Sequence, residues 1–527
     1  MLVPLSVLEF RDRAAAYFGT KVGVVDGDKR FTYAQFAERT HRLASALEGI
    51  GVGHGDRVSF LSYNCHQLLE AYYGVLEAGA VLNPINVRLT PREIGYILHH
   101  SGTRVVFYHK DFTPLVEALR PSLPPGTRFV IMEGEPADGD HEYEALLATG
   151  DPGHEAVEVD ENEIAELFYT SGTTGQPKGV ALTHRALHLH AVYAGMGLRV
   201  GDTAVALHVV PLFHVNGWGT PHFITMFGGT HVMLRRFDPA ALLGLVQAEH
   251  VTHVLGVPTI FNALINLPTR GDYDLSSLVT CVVGGAPSSP TLIRGIEREL
   301  KAEAIVGYGL SETSPVLTLA WPRQHLATAE GAERTAERKA STGWAIPGVR
   351  IRVVDPNGQD VRADGEQLGE IVARSNVVMA GYYRDDAATA TAIRDGWFHT
   401  GDMATIDAEG YVTIKDRSKD VIIRGGENIS SVEIENVLAA HPAVLEAAVV
   451  AAPDPQWGES PVGLVVLKEG AKATPAELLT HCRAQLAGFK VPREVEIREA
   501  LPKGGTGKIL KGELREPFWT GMDKRVG

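Results

Sequence analysis

Residues 169–180 read YTSGTTGQPKGV, a stretch rich in glycine and hydroxyl side chains that follows an apolar run. Glycines let backbone amides approach a ligand closely, and the hydroxyl groups and Lys178 add donors that suit phosphate oxygens. Such a composition more often belongs to a solvated turn. A strand-like run before the stretch and a helix-like run after it, capped by Thr183, favour a phosphate-binding loop instead. The loop is not the GxxxxGK[ST] type, because Gly179 follows the lysine where that motif requires Ser or Thr.

The length and composition of the chain are those of a soluble globular protein. Its 527 residues predict about three to four folding units. With 44% hydrophobic and 21% charged residues and no low-complexity block, the composition argues against a disordered chain. The net charge of −15 argues against a general nucleic-acid binder, because Lys and Arg are not in excess.

Three cysteines, Cys65, Cys281 and Cys482, are widely spaced and odd in number. This pattern excludes a disulfide framework and a cysteine-rich zinc site, and we expect each cysteine to be a small buried residue. The N-terminal segment reaches Glu9 early and lacks a basic leader, so no secretory signal is expected. No apolar run approaches the roughly 18–20 residues of a membrane span. We therefore predict a cytoplasmic protein without stable membrane insertion.

Short apolar strands alternate with helical periodicity over the first two-thirds of the chain, as in residues 31–51 followed by 56–62. This alternation predicts an α/β fold whose sheets are largely parallel and covered on both faces. Three of the strands end in Gly or Pro, at residues 256–258, 284–287 and 307–309. Because ligands of doubly wound sheets bind beyond the carboxyl ends of the strands, we place the site there.

The pattern changes in the last third of the chain. Residues 345–415 carry short strands and glycine turns, which predicts a small β-rich subdomain at the end of an N-terminal domain of residues 1–415. A segment dense in charge and glycine begins at Asp416, where we place the domain boundary. Beyond it we expect a compact α+β unit with helices at 432–441 and 475–486 and strands at 445–451 and 462–466.

Two motifs combine glycines with side chains that suit a nucleotide. Residues 306–315 read VGYGLSETSP, in which Tyr308 lies between two glycines and can pack beside a planar base. In the same motif, Glu312 offers a hard carboxylate for Mg²⁺. Residues 396–402 read GWFHTGD, and Asp402 suits ribose hydroxyl groups. The simpler alternatives are a turn with a surface glutamate and a turn-forming aspartate.

Two motifs nearer the C-terminus carry basic residues. Residues 416–435 read DRSKDVIIRGGENISSVEIE, in which Arg417 is a candidate donor to ribose or phosphate. Residues 501–511 read LPKGGTGKILK, and there Lys508 is a cation on a glycine-flanked loop that can reach an oxyanion. Taken singly, these features are better explained as a solvated linker and a surface lysine.

Residues 211–218 read PLFHVNGW and place His214 and Trp218 on one segment. His214 is a candidate for orienting or gating a carboxylate, although a histidine satisfied beside the core is more common. Because the chain has 21 histidines, their frequency gives no support to a catalytic role.

The order of these motifs along the chain resembles the adenylate-forming (AMP-binding) superfamily of acyl-CoA synthetases, adenylation domains and luciferases. The succession is YTSGTTGQPKG, PLFHVNGW, GGAP, GYGLSETSP, GWFHTGD, DRSKDVIIRGGENIS and PKGGTGK, which spans about residues 31–515. The resemblance implies a large N-terminal domain of two βαβ-type sheets plus a small β-barrel. It also implies a hinge at residues 416–419 and a smaller mobile α+β lid domain of residues 420–527.

The reaction implied by the resemblance has two halves. A carboxylate attacks the α-phosphate of ATP to give an acyl-adenylate and pyrophosphate. The lid then swings, and coenzyme A takes the acyl group. The segment PLFHVNGW is especially similar to bacterial fatty-acyl-CoA synthetases, in which the matching tryptophan gates an acyl tunnel. We therefore expect a medium- to long-chain fatty acid as substrate and Trp218 as its gate.

The resemblance also implies a role for each motif residue. The implied catalytic residues are Lys508, Glu312 and His214. Lys508 would bridge the carboxylate and the α-phosphate, an effect worth about 3–4 kcal/mol, and a mobile lid would withdraw that charge before the thiol arrives. The β- and γ-phosphates would contact Thr170, Ser171, Gly172, Thr173, Thr174, Gly175 and Lys178, and Mg²⁺ would contact Thr170 and Glu312. Adenine would contact Gly285, Ala286, Pro287, Gly307, Tyr308 and Gly309, and ribose would contact Asp402 and Arg417. The remaining cofactor contacts would be Lys419, Gly425 and Gly426, with residues 424–428 facing coenzyme A.

Three alternatives stay open. The acid can instead be short, branched, a thioether or an aryl acid, and Asn428 stands where some long-chain enzymes carry Trp. The acyl group can instead pass to the phosphopantetheine of a carrier protein, although we expect no carrier domain after Gly527. The third alternative is a different class of protein, in which the loop belongs to an NTPase that releases ADP and phosphate or to a nucleotide sensor without catalytic activity. By family analogy and common symmetry we expect a homodimer.

Overall fold

A computed structural model describes residues 1, 3–170, 176–417, 420–424, 427–504 and 507–520 of the chain. The strands, in chain order, are β1 Val22–Asp26, β2 Lys29–Thr32, β3 Arg57–Leu61, β4 Val81–Pro84, β5 Thr103–Tyr108, β6 Arg128–Ile131, β7 His141–Glu142, β8 Ile164–Thr170, β9 Lys178–Thr183, β10 Val205–His208, β11 Thr230–Met233, β12 His253–Gly256, β13 Thr280–Val283, β14 Glu303–Gly309, β15 Val316–Leu319, β16 Trp344–Ala345, β17 Val349–Val354, β18 Gly369–Ser375, β19 Gly381–Tyr382, β20 Ile393–Arg394, β21 Trp397–Ile406, β22 Val412–Arg417, β23 Ile422–Arg424, β24 Glu427–Ile429, β25 Val444–Asp454, β26 Gly458–Leu467 and β27 Glu494–Ile497.

The α-helices are Leu8–Phe18, Tyr33–Gly49, His66–Glu77, Pro91–Ser101, Thr113–Leu119, Tyr143–Leu147, His184–Gly197, Thr220–Phe227, Pro239–Glu249, Pro258–Ile265, Pro290–Leu300, Gln324–Ala340, Asp386–Ala392, Ser431–Ala439, Pro475–Gln485 and Lys511–Trp519. Local sequence explains many of their ends. The helix Tyr33–Gly49 begins at Thr32, which forms a reciprocal capping box with Gln35. Among these helices, in the part of the chain that is described, none is long and apolar enough to cross a bilayer.

Two large sheets build the N-terminal part of the molecule. Within the described residues, one sheet has the strand order β16-β15-β14-β13-β12-β10-β11-β1-β2, and its central pairs from β14 to β1 are parallel. The other has the order β19-β9-β8-β4-β3-β5-β6-β7, with parallel pairs from β8 to β7. The predicted α/β fold with two βαβ-type sheets is confirmed.

The helix His66–Glu77 forms the centre of the core. Every one of its residues is buried, and it contacts β1 of the first sheet and β4 of the second. A helix that is buried on all sides has to satisfy its polar side chains internally, and two of them, Tyr72 and Tyr73, donate to backbone carbonyls in and just after the site segment described below. The three cysteines are buried and free, as predicted.

The β-rich part and the C-terminal part each contain a smaller sheet. Strands β17, β18, β21, β20 and β22 form an antiparallel sheet where the sequence predicts a small β-barrel. Strands β24, β23, β26, β25 and β27 form the sheet of the smaller α+β domain, against which the helices Ser431–Ala439 and Pro475–Gln485 pack. The elements predicted for this domain are all present, with ends that differ by a few residues.

Candidate active site

The predicted phosphate loop connects two antiparallel strands. β8 pairs with β9, and Thr170 lies opposite Lys178 in the last pair before the loop. Ser171, Gly172, Thr173, Thr174 and Gly175 lie outside the described residues. The prediction of a strand that leads through the loop into a helix needs correction, because β9 intervenes before the helix His184–Gly197. Thr183 does cap that helix, accepting from the Ala186 amide at 3.1 Å, but the helix N-terminus is one strand away from the loop.

Tyr382 joins Lys178 to Glu312. Its hydroxyl donates to Oε1 of Glu312 at 2.9 Å, and the ammonium of Lys178 lies 5.0 Å from the centre of its ring. Burial, together with the Glu312 carboxylate, raises the pKa of Tyr382, so the phenol keeps its proton and remains a donor. Sequence reasoning missed Tyr382. Its only local signal is that a second tyrosine, Tyr383, follows it, and its role depends on β19 pairing with β9.

A cavity of about 980 Å³ opens at the carboxyl ends of β12, β13 and β14. This is the sheet edge where the sequence places the site. Its lining brings together the predicted residues Gly285, Ala286, Pro287, Gly307, Tyr308, Gly309, Asp402 and Lys508. Among the described residues, Lys178, Glu312, His214 and Trp218 do not line this cavity.

Tyr308 and Asp402 meet at one wall of the cavity. The Tyr308 hydroxyl donates to Oδ2 of Asp402 at 2.9 Å, and Asp402 is almost completely buried. Next to Tyr308, only glycine fits at position 309, because a Cβ atom there would lie 1.7 Å from the carbonyl oxygen of Pro315. Asp402 also lies opposite Arg417 in the pairing of β21 with β22. The structure therefore brings both predicted ribose residues to adjacent backbone positions.

The loop that carries Lys508 docks on the N-terminal domain. Gly504 donates to the carbonyl of Lys508 at 2.8 Å, and Gly507 donates to the carbonyl of Gly504 at 2.9 Å. Oγ1 of Thr259, just beyond β12, lies 3.5 Å from the carbonyl oxygen of Gly507. Lys508 thus stands at the cavity that the sheet edge forms.

His214 lies close enough to Lys508 to feel its charge. Burial, reinforced by the positive charges of Lys508 and Arg88, lowers the pKa of His214 to about 4. At neutral pH the ring is therefore uncharged, and it can offer a carboxylate one hydrogen bond but no ion pair.

The segment that follows His214 is a left-handed turn. The φ angles of Val215, Asn216, Gly217, Trp218 and Gly219 are 34°, 45°, 52°, 66° and 86°. The turn lays the Trp218 ring on the neighbouring glycine loop: a Cβ atom on residue 284 would lie 3.0 Å from the ring. Trp218 is 8% exposed. The predicted gate residue is thus packed directly over the loop that carries residues 285–287.

A partly buried ionic cluster lies at the predicted hinge. Oδ2 of Asp416 accepts from the Ser431 amide at 2.8 Å. The Lys511 ammonium lies 2.7 Å from Oε1 of Glu435 and donates to Oγ of Ser431 at 2.6 Å. Although burial opposes the charged form, the carboxylates of Glu435 and Asp416 raise the pKa of Lys511. Sequence reasoning missed Lys511, although it belongs to the same motif as Lys508.

The C-terminal domain presents aromatic side chains beside Arg424. Nη1 of Arg424 donates to the carbonyl of Phe489 at 2.7 Å, and Arg424 pairs with Gly458 in the sheet. Trp457 and Phe489 are 44% and 43% exposed. Exposed rings beside a guanidinium suit a nucleotide that carries phosphates. Lys419, Gly425 and Gly426 lie outside the described residues, as does the side chain of Arg417.

The described side chains fit Mg²⁺ only if substrate phosphates and water supply part of its coordination. Among the described residues no group of three or more His, Cys, Asp or Glu side chains is placed to hold a metal ion. Mg²⁺ is commonly held by one or two carboxylates together with substrate phosphates and water. Glu312, with one oxygen fixed by Tyr382, fits that pattern.

Comparisons with known proteins agree along nearly the whole chain. The family described as AMP-binding enzyme matches residues 10–383, and its C-terminal domain family matches residues 433–508. A long-chain-fatty-acid–CoA ligase of Thermus thermophilus is 43% identical over 98% of this chain and 96% of its own. A 3-methylmercaptopropionyl-CoA ligase of Ruegeria pomeroyi is 39% identical over 98% of each chain. The crystal structure of the anthranilate CoA ligase AuaEII with anthranoyl-AMP matches with a TM-score of 0.91 and 27% identity over 98% of each chain.

Proposed function

The chain belongs to the AMP-binding enzyme family and is an AMP-forming acid–CoA ligase, and from this premise we propose that it activates an apolar monocarboxylic acid. A medium- to long-chain fatty acid is the first candidate. The observation that carries this proposal is the buried ring of Trp218, which belongs to an apolar cluster with Val257 and Val282. Each CH₂ group buried against such a wall contributes about 0.8 kcal/mol, whereas a charged tail would lose its hydration. The 43% identical ligase of Thermus thermophilus, named for long-chain fatty acids, supports the same choice.

In the first half-reaction, a carboxylate oxygen of the acid attacks the α-phosphorus of ATP. The bond between this phosphorus and the bridging oxygen breaks, and pyrophosphate leaves with the electron pair. Lys508, docked at the cavity, places its ammonium between the two anions, where such a charge stabilises the transition state. Thr170 to Lys178 hold the β- and γ-phosphates, adenine lies along residues 285–287 and 307–309, and Asp402 and Arg417 bind ribose.

Mg²⁺ would be held by Glu312 and Thr170 and would supply neutralising charge to the phosphates when bound. The hydrogen bond from Tyr382 to Oε1 fixes the orientation of the Glu312 carboxylate, and therefore also the position of Oε2. Lys178, 5.0 Å from the same ring, adds a second positive charge on the side of the phosphate loop.

In the second half-reaction, the thiol of coenzyme A attacks the acyl carbonyl carbon, and AMP leaves. We propose that the domain of residues 420–527 turns about residues 416–419. This rotation would withdraw Lys508 from the cavity and bring the coenzyme A site of the same domain to the acyl-adenylate. The exposed rings of Trp457 and Phe489, beside Arg424, then receive the nucleotide of coenzyme A. Their exposure on either side of Arg424 supports this role, because exposed apolar side chains grouped at one surface often mark ligand or partner contacts.

A short, branched or thioether acid is the second candidate. It is favoured by the packing of Trp218 on the loop at residue 284, since a ring that stays in this place limits the length of the acyl chain. The 3-methylmercaptopropionyl-CoA ligase of Ruegeria pomeroyi, 39% identical, supports this alternative.

A panel of acids from C2 to C18, with branched, thioether and aromatic members, separates these candidates. AMP and pyrophosphate release are measured with ATP, Mg²⁺ and coenzyme A. We expect a kcat/KM maximum among apolar aliphatic acids, with AMP and pyrophosphate formed in equal amounts. A maximum at four carbons or fewer selects the second candidate. Release of ADP independent of any acid would contradict ligase activity altogether.

A further inference from the structure

Glu166 is a fully buried carboxyl side chain on β8, the strand that leads into the phosphate loop. Its Oε2 atom accepts from Nδ2 of Asn216 at 3.0 Å, and its Oε1 atom lies 2.7 Å from Nε2 of His222. Asn216 and His222 are also fully buried. One side chain of β8 is therefore tied to two points of the segment that carries Trp218.

The turn between these two points needs support from outside itself. L-amino acids lose about 1–2 kcal/mol for each residue held in the left-handed helical conformation, apart from Gly and to some degree Asn. Val215 and Trp218 adopt this conformation here, with φ of 34° and 66°. Strained backbone of this kind persists only where the surrounding structure holds it.

Hydrogen bonds from elsewhere in the molecule hold the ends of the segment, and within it the Thr220 hydroxyl donates locally to the carbonyl of Gly217 at 3.0 Å. The hydroxyls of Tyr72 and Tyr73, on the buried helix His66–Glu77, donate to the carbonyls of Leu212 at 2.6 Å and Pro221 at 2.7 Å. These bonds fix the chain before and after the turn. Within the turn, the Asn216 side chain is held by Glu166.

We propose that Glu166 is a positioning residue for the acid substrate. By holding Asn216 and His222, it keeps the left-handed turn in the form that presents His214 toward Lys508 and lays Trp218 over residue 284. The inference rests on the proposed function, because it concerns how the acid side of that site is held. β8 itself is secured on both sides, with Glu166 opposite Leu82 in one strand pair and opposite Leu182 in the other. Loss of the Glu166 side chain would therefore release the turn and leave the strand in place.

Glu166→Gln is a conservative variant that the hydrogen-bonding capacity of its two partners allows. In the described part of the chain, Oδ1 of Asn216 and Nδ1 of His222 have no hydrogen-bond partner. In Glu166→Gln the new amide can donate to Oδ1 of Asn216 once that amide flips, and its oxygen can still accept from His222. The turn would then remain fastened without the carboxylate.

The test compares Glu166→Gln with the double variant Glu166→Met/His222→Phe. Replacing interacting buried polar groups together by apolar groups of similar size often preserves folding, so the double variant leaves no unpaired charge at residues 166 and 222. The Nδ2 atom of Asn216 still loses its acceptor, and the thermal unfolding midpoint measures that cost in stability. The KM values for acid and for ATP are measured by acid-dependent pyrophosphate exchange across the acid panel, together with the thermal unfolding midpoint. Acrylamide quenching of Trp218 fluorescence, obtained by difference from the same variants carrying Trp218→Phe, reports the turn without any activity.

For Glu166→Met/His222→Phe we expect the acid KM to rise about tenfold or more and the chain-length optimum to broaden, while the ATP KM changes by less than about threefold. Trp218 should become more accessible to acrylamide. Glu166→Gln should keep the wild-type acid profile.

A folded double variant with wild-type acid KM and wild-type quenching would overturn the inference, as would equal rises in both KM values. If the double variant does not fold, Asn216→Gly, which keeps a residue tolerant of positive φ but removes the bond to Glu166, is judged by the same criteria. A wild-type chain inactive with every acid would refute the proposed function alone, because the quenching comparison would still decide the role of Glu166.

Discussion

The hydroxyl of Tyr308 donates a hydrogen bond of 2.9 Å to Oδ2 of Asp402, joining two motifs that are 94 residues apart. This bond sets the direction of the carboxylate that we assign to ribose. It also places the Tyr308 ring at the wall of the cavity that we assign to adenine.

Removing this hydroxyl should weaken ATP binding more than it affects the acid. In Tyr308→Phe the ring is kept and one hydrogen bond to a carboxylate is lost, which is worth about 1.5–3 kcal/mol. We expect the KM for ATP to rise by about tenfold and the acid KM to stay near wild type. Tyr308→Ala, which removes the ring as well, should have a larger effect. An unchanged ATP KM in both variants would contradict the assignment, with pyrophosphate exchange as the measurement.

Lys508→Ala should separate the two half-reactions. Because the ammonium acts between two anions only during adenylation, acid-dependent pyrophosphate exchange should fall by about 10²–10³-fold or more. Thioester formation from a supplied acyl-adenylate should be spared.

The same loop provides a matched control. Lys503 carries the same charge but pairs with Glu446 at 2.6 Å on the other side of the loop. Lys503→Ala should therefore keep both half-reactions. Equal loss of both half-reactions in Lys508→Ala would refute the assigned role.

Truncating Trp218 should change the acid profile. The ring covers residue 284 and is 8% exposed, so Trp218→Ala removes the wall that we assign to the gate. We expect kcat/KM for the longest accepted acids to rise relative to short acids by about tenfold, an amount typical of a few methylene contacts. Trp218→Phe should lie between. Identical chain-length profiles for all three proteins would exclude Trp218 as a gate.

The exposed aromatic pair on the C-terminal domain should matter in the second half-reaction only. Trp457→Ala should raise the KM for coenzyme A by about fivefold or more, because a ring stacked on a base contributes about 1–3 kcal/mol. Pyrophosphate exchange, which needs no coenzyme A, should be unchanged. Met196→Ala removes an exposed side chain of the helix His184–Gly197, in the N-terminal part of the chain, and serves as the control. A wild-type KM for coenzyme A in Trp457→Ala would remove this surface from the proposal.

Buried histidines should make the protein lose stability in mild acid. Burial lowers the pKa of His184, His190, His208, His214 and His253 to between about 3 and about 4. Because their folded pKa values lie below 6.5, the unfolded chain takes up these protons first as the pH falls. Stability is therefore fully present above about pH 6.5 and declines toward pH 4.

For His190, whose folded pKa is about 3, the loss at pH 5 is about 2 kcal/mol. The thermal midpoint should fall continuously from pH 7 to pH 5. His190→Gln offers a control, because its amide oxygen can accept the 3.1 Å bond that the Val316 amide donates to His190. This variant should show a shallower decline, and a slope equal to that of wild type would contradict the argument.

Elements of the fold were predictable where residues close in the sequence mark their ends. The helix predicted at 475–486 is found at Pro475–Gln485, because Thr474 and Glu477 form a capping box that any reader of the sequence can recognise. The strand β9 was missed as a separate element, because the six residues KGVALT signal a strand only weakly until β8 lies beside them. Its absence from the prediction made the phosphate loop look like the start of a helix.

The sequence by itself determined the chemistry of this protein. The recognition of phosphate and nucleotide that we propose needs a few residue types at close spacing, and motifs such as YTSGTTGQPKG and GYGLSETSP have that spacing. Only the tertiary structure decided how those motifs are held. The contacts of Tyr382 with Glu312, Glu166 with His222, and Lys511 with Glu435 join residues far apart in the chain, and their geometry follows from how sheets and helices pack. Side-chain partners of this kind leave no periodic or local signal, because the physical requirement is met in space and not along the chain.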